Sequence, residues 1–307
     1  MKPLVSIGLG VRNGDKYLRE ALDSLLAQTY QNFEFIISDN ASNDDTRKIC
    51  EEYANRDNRI RYIRQKEDIG GLQNYDFVRR EACGEYFMLA ANDDLWDSRF
   101  IEKCLAKFKE FPDAIGVFPN FLAFDDSGMI TEFSPEKYFP FPHNIYSRLK
   151  TYILSRAQYG KLTLLYSLWK RDSMVDIISK NEQHSDMSYL LKSLFKGYFV
   201  FIDEVLFFKR AITLLPTNNV KWPSLNYLTN LPPDHPIKSV DEWHVIRRGV
   251  ERRSCKRFIT NRLQATKYFI LHSKYIFRAS ILSWSEKVGL FLWNFWAYLK
   301  SMLYGYL

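Results

Sequence analysis

The sequence predicts an α/β fold whose mostly parallel, doubly wound sheet carries helices on its faces. Two observations predict it. Short apolar runs alternate with helix-period segments through the first third of the chain, and Asp39, Asp93 and Asp94 each stand just beyond an apolar run, where the carboxyl edge of such a sheet binds ligands. Residues 4–9 form a first buried strand, and residues 15–29 a helix with Leu18, Ala21, Leu22, Leu25 and Leu26 on one side. Residues 33–38 form a second strand, and the polar cluster at 39–46 caps a helix running to about Asn55. A third strand at 60–63, a Gly70-Gly71 turn, a helix over 72–82 and a strand over 86–91 complete the pattern.

The strand at 86–91 ends in Asn92-Asp93-Asp94. Two adjacent carboxylates at an open sheet edge concentrate negative charge where the core offers no neutralisation. Mg²⁺ or Mn²⁺ carrying phosphates is the economical partner, because these ions bind through one or two carboxylates plus substrate oxygens. That chemistry points to a nucleoside diphosphate. An isolated Asp-Asp pair would read as a solvated acidic turn, but this pair shares its edge with Asp39.

The text around these carboxylates resembles glycosyltransferase family 2, the inverting nucleotide-sugar transferases of GT-A fold. The resemblance rests on Val5-Ser6-Ile7, Asn13, Tyr17-Leu18, Ala21-Leu22, Ser24-Leu25-Leu26, Gln28-Thr29-Tyr30 and Asn32-Phe33-Glu34. It continues through Ile36 to Asn40, Ser42, Asp44 and Thr46, then Gly70, Asn74, Ala82, Gly84, Tyr86 and the Asp pair. The resemblance implies a GT-A domain over about 1–215, with a nucleotide-sugar half to about 118 and an acceptor half from 119. It assigns Asp39 to the base, Asp93 to the ribose and Asp94 to a divalent metal, Mg or Mn, with Ser6 and Asn74 also on the nucleotide. Two departures stand out. Ala91 occupies the place of an Asp that many members carry two positions before the pair, and Gly10-Val11-Arg12-Asn13 replaces the usual Pro-Thr-Tyr-Asn beside the base.

An inverting transfer needs a base for the acceptor hydroxyl. The family takes it from an acid heading a helix, and Asp186, followed by Leu190-Leu191, Phe195 and Gly197, fits that layout. The alternative for Asp186 is a helix N-terminal acid held by the dipole. His184 reads as a substrate-edge or structural residue. In the segment 204–210, Arg210 matches the basic residue that approaches the departing diphosphate, with a surface cation as the alternative. No Gln-x-x-Arg-Trp run of the processive synthases is present, which favours addition of one sugar.

The 307 residues, 46% hydrophobic, suffice for one large core and an appendage. Cys50, Cys83, Cys104 and Cys255 lack metal or redox spacing, which suits a reducing compartment, and the short apolar start followed by Arg12 reads as a strand and not an export signal. The formal net charge of +7 concentrates beyond a linker at 216–240, in a helical tail over 241–307 where cations interleave with Trp, Tyr and Phe. Such a composition belongs to an interfacial, membrane-associating helix. A spanning helix over 288–307, an RNA-binding tail and a helical pair packed on the core or on a second subunit are the alternatives, with nucleic acid not expected.

The expectation is therefore a peripheral enzyme at the cytoplasmic face of the membrane, transferring one sugar with inversion from a UDP- or dTDP-sugar to a lipid-linked saccharide in surface glycan assembly. A nucleotidyltransferase and a non-catalytic membrane adaptor on the same fold are the competing readings, and homo-oligomerisation is left open.

Overall fold

A strand buried at every position needs both of its faces covered, and β1 (Val5–Val11) is such a strand. The computed structural model describes residues 4–124, 130–133, 142–154, 163–174, 178–179, 182–183, 186–210, 266 and 269–304. The expected linker at 216–240, the tail residues 241–265 and His184 lie outside them. After β1 come α1 (Asp15–Leu26), β2 (Phe33–Asp39), α2 (Thr46–Arg56), β3 (Ile60–Arg64), α3 (Gly71–Glu81) and β4 (Tyr86–Ala90). These match the alternation read from the sequence element by element. Gly8 lets α3 settle on the sheet, since a Cβ there would stand 2.7 Å from Phe87 and 2.9 Å from Val78.

Beyond β4 the periodicity gave less to read. A short β5 (Leu95–Trp96) leads into α4 (Phe100–Glu110), then β6 (Gly116–Phe124) and β7 (Ile130–Phe133). All nine residues of β6 are buried, so it carries no alternation of apolar and polar positions. Then follow α5 (Ile145–Leu154), β8 (Leu168–Lys170), the small β9 (Ile178–Ser179) and β10 (Glu182–Gln183) hairpin, α6 (Asp186–Leu194) and β11 (Phe199–Arg210). β11 joins into one strand the apolar run and the basic segment that the sequence presented as separate. Its register on β6 shifts between Ile202 and Val205, where Asp203 turns to accept a bond from Asn120 Nδ2 at 2.7 Å.

The large sheet runs β3-β2-β1-β4-β8-β6-β11-β5, with β7 beside β6. Pairings β1–β2, β2–β3, β1–β4 and β6–β11 are parallel, while β5, β7 and β8 run antiparallel to their neighbours. The sheet is thus mostly parallel, as expected, with β8 wedged at its centre. Aromatic side chains fill the seam: Trp169 meets Phe199 edge-on at 4.8 Å, and Phe207 lies 5.3 Å from Trp96.

Two C-terminal helices, α7 over 269–278 and α8 (Trp284–Tyr304), rest on this body. Gly289 of α8 lets Tyr146 of α5 approach, and Lys150 lies 4.3 Å over the Trp293 ring. Arg148 Nε donates to the Leu194 carbonyl at 2.7 Å, tying α5 to α6, and Lys192 of α6 sits 4.6 Å over Tyr275 of α7. The helical character expected of the tail holds for its described residues, none of whose helices is long and apolar enough to cross a membrane.

Candidate active site

The carboxyl ends of β1, β2 and β4 define one edge, and the loops that leave it are tied to each other rather than to solvent. Gly14 N donates to Thr46 Oγ1 at 2.8 Å, Asn13 N to Ser42 Oγ at 2.9 Å and Asp15 N to Asp44 Oδ2 at 3.2 Å. The first turn of α1 is therefore capped by side chains from the loop after β2, which is the physical use of the Ser42, Asp44 and Thr46 spacing. Asn13 and Ala41 adopt left-handed backbone, with φ of 50° and 54°, at the two places where these loops turn away from the edge.

Asp39 ends β2 fully buried. Its Oδ1 accepts Ser42 N at 2.9 Å, and its Oδ2 accepts Tyr62 Oη at 2.9 Å and Arg64 at 2.5 Å. Burial and this carboxylate push the Tyr62 phenol upward. Beside it, Asn40 Nδ2 donates to Asp68 at 2.6 Å, and Asp68 also pairs with Arg12. Arg12, which departs from the family text, thus closes a ring of polar groups over the end of β2. Asn74 does not face outward. It is buried on α3, accepting Ser38 Oγ at 2.6 Å and donating to the Ser38 carbonyl at 2.9 Å, so it fixes the strand that presents Asp39.

The Asp pair divides. Asp93 is partly exposed, and among the described residues its carboxylate accepts no hydrogen bond. Asp94 is fully buried, with Oδ1 taking Arg210 N at 2.8 Å and Oδ2 taking Lys209 Nζ at 3.2 Å. Burial pushes its carboxyl up to about 6 against the pull of Lys209, and the charge of Asp93 adds to the rise. In this structure both oxygens of Asp94 are taken up by the end of β11, while the accessible carboxylate of the pair is that of Asp93.

Two more of the expected site residues, Ser6 and Arg210, are engaged by protein partners. Ser6 lies near the amino end of β1, opposite the site, roughly 16 Å along the strand from Val11 at about 3.3 Å per residue. Its hydroxyl donates to Glu34 Oε1 at 2.5 Å and accepts Gly84 N at 2.8 Å, so it ties β1 to β2 and to the turn before β4. Arg210 is nearly buried. Its guanidinium donates to Glu20 at 2.6 Å and to the Asp93 carbonyl at 3.1 Å, and lies between Tyr17 at 4.1 Å and Phe124 at 4.6 Å. Its neighbour Lys209 is half-buried, bonded to Asp94 and 4.9 Å over Tyr166. Successive strand residues point to opposite faces, which sends Lys209 and Arg210 apart, and a reading by residue type could not choose between them. Asp186 begins α6, as expected of the general base, but its side chain lies outside the described residues.

Among the described residues no cluster of three or more His, Cys, Asp or Glu could hold a metal by itself. One accessible carboxylate at Asp93 fits a Mg²⁺ or Mn²⁺ ion that arrives with phosphate ligands of its own.

A family model described as glycosyl transferase family 2 matches residues 6–167. Among curated proteins, the chain is 34% identical over 127 residues to glycosyltransferase GlyG of Streptococcus pneumoniae serotype 4, covering 41% of this chain and 42% of that one. It is 32% identical over 128 residues to putative glycosyltransferase EpsE of Bacillus subtilis strain 168, covering 41% and 46%. The matched stretch spans less than half the length of these relatives. Among solved structures, S. aureus TarS 1–349 superposes with a TM-score of 0.61 at 14% identity, over 96% of this chain and 72% of that one. The mannosyltransferase PcManGT of Pyrobaculum calidifontis, in complex with GDP-Man and Mn²⁺, gives 0.51 at 13%, over 99% and 74%. The fold is thus that of these structures. With the family model spanning more than half of its residues, the chain belongs to glycosyl transferase family 2.

Proposed function

We propose that this protein transfers a single sugar, with inversion, from a nucleoside diphosphate sugar to a saccharide acceptor on a lipid carrier. The observation that carries the reading is the convergence of Asp39, Asp93 and Lys209 on one sheet edge, from three separate strands and loops. TarS has been solved with UDP and with UDP-GlcNAc, which supports a uridine donor here, and dTDP is the second choice.

Asp39 and the Arg12–Asp68 pair would bound the base, and Asp93 would hold the cation that accompanies the diphosphate. That cation, when bound, screens the phosphate charge that builds as the glycosidic bond to the leaving group breaks. Lys209 would face the same charge from the β11 side. Arg210 and Asp94 would act one layer behind, keeping Lys209 and the Asp93 main chain in place. Asp186 would accept the proton of the acceptor hydroxyl as that oxygen attacks the anomeric carbon opposite the departing diphosphate. The cytoplasmic face of a membrane, where nucleotide sugars and lipid-linked acceptors meet, is the proposed place of action.

Calorimetric titration with UDP, dTDP and GDP, each with and without Mn²⁺, tests the donor site. Expected is Mn²⁺-dependent binding of one pyrimidine diphosphate, abolished in Asp93→Ala. Asp186→Asn should keep that binding and lose turnover by about a hundredfold or more, the scale of a lost general base. Binding of no diphosphate to folded protein would favour the non-catalytic reading, and full turnover in Asp186→Asn would remove the base assignment.

A further inference from the structure

α8 has two faces of different character. Gly289, Leu290, Trp293, Asn294 and Ala297 turn inward, with Leu290 and Asn294 buried and Asn294 Nδ2 bonded to the Phe269 carbonyl at 3.0 Å and to Ser273 Oγ at 2.9 Å. Trp284, Val288, Leu292, Phe295 and Trp296 occupy the other arc, about 120° wide at 100° per residue, and all are exposed. Trp284 is 71% exposed and Trp296 47%. On α7 and the turn after it, Ile270, Phe277 and Ile281 continue the surface, with the Phe277 ring 5.8 Å from Trp284 and 5.4 Å from Phe291. Eight large apolar side chains on one surface are more than a monomer ordinarily leaves to water.

Charge identifies what covers them. Lys274 and Arg278 share the α7 arc with Ile270 and Phe277, and Lys287 borders the arc of α8. Between 266 and 304 the one acid is Glu286, whose carboxylate accepts Ser283 N at 2.8 Å and Ser283 Oγ at 2.7 Å in the turn before α8. Tryptophans at both ends of the arc, roughly 18 Å apart at 1.5 Å per residue, suit a helix lying flat, with rings at headgroup depth and cations at phosphate height. Two copies facing each other would instead bring three cations against three.

We infer that the outer face of α7 and α8 docks on an anionic lipid bilayer, lying in its interface without crossing it. The inference stands apart from the sugar-transfer reading, since it uses none of the residues at the sheet edge.

Cosedimentation of the full chain with phosphatidylglycerol-containing vesicles, against phosphatidylcholine alone, tests it. Binding to the anionic vesicles is expected. Trp284→Ser with Leu292→Ser and Trp296→Ser should weaken it by more than about tenfold, as removal of several buried apolar side chains requires. Lys274→Gln with Arg278→Gln should cost about fivefold per cation on anionic vesicles and little on neutral ones. Quenching by brominated lipid provides a reading free of folding defects. It should fall when Trp284→Phe and Trp296→Phe are combined, and unchanged quenching would place the contact elsewhere and overturn the inference. A dimer that the triple serine variant splits, with no vesicle binding by the parent, would assign the face to a second copy instead.

Discussion

Adjacent aspartates can look equivalent in a sequence and differ in a fold, as partly exposed Asp93 and buried Asp94 do. Asp93→Ala should abolish cation-dependent diphosphate binding while leaving the melting temperature nearly unchanged. Asp94→Ala should cost about 3 kcal/mol of stability, because it leaves a buried backbone N–H and a lysine without their acceptor. Paired thermal melts and titrations check both. The positions of these acids were legible, as were Asp39 and the strand that carries it, because strand ends follow from apolar runs. Which acid turns outward was not, since it depends on where β11 arrives, more than a hundred residues later in the chain. Ser6 is a hydroxyl inside the same family-like run whose bonds in this structure serve strand cohesion. Ser6→Ala should lower stability by about 1–3 kcal/mol, through the unsatisfied Gly84 N and Glu34, and leave diphosphate affinity within about twofold. Burial raises the Glu34 carboxyl, but bonds from Cys83 and Ser6 outweigh it and hold the group below its usual range. A lowered folded value contributes stability above the ordinary carboxylate range that disappears as pH falls through the folded value. The gap in melting temperature between the parent and Glu34→Gln should accordingly be full above the ordinary carboxylate range and close as pH falls below it.

Elements were recovered in proportion to how much water they see. The helices α1 to α3 alternate an apolar and a polar face, and β1, β2 and β4 are short apolar runs set off by loops, so each announces its type. The segment from β5 to β8 loses that signal, since β6 is buried on both faces and β8 is only three residues long. The α3–β1 contact is the tightest test of the donor side. Gly8→Val should drive Phe87 and Val78 apart and destabilise by about 1–3 kcal/mol or more, the range for overpacking, with loss of soluble protein as a coarser readout. Because α3 also carries Asn74, the same substitution should weaken diphosphate binding at a distance from the ligand.

At the scale of the whole molecule, the C-terminal helices are tied to α5 and α6, the latter headed by Asp186. The chemistry proposed for that helix and the face proposed for the bilayer therefore share one packed unit, which suits the proposed lipid-linked acceptor. A fragment ending at residue 124 should bind no diphosphate and should aggregate, since Leu95, Leu122 and Phe124 lose the cover of Phe208. Light scattering with titration of the purified fragment checks this. The bond from Arg210 N to Asp94 carries a lesson about modularity. The family likeness covers residues 6–167, as though that portion were a cassette to be exchanged between enzymes. The cassette is not self-contained: its inner aspartate is latched by the last two residues of a strand from the other half. Recombination at the middle of such a chain yields a working hybrid only when the incoming half ends that strand with its own Lys-Arg latch, so the acceptor half decides which donor halves it will accept.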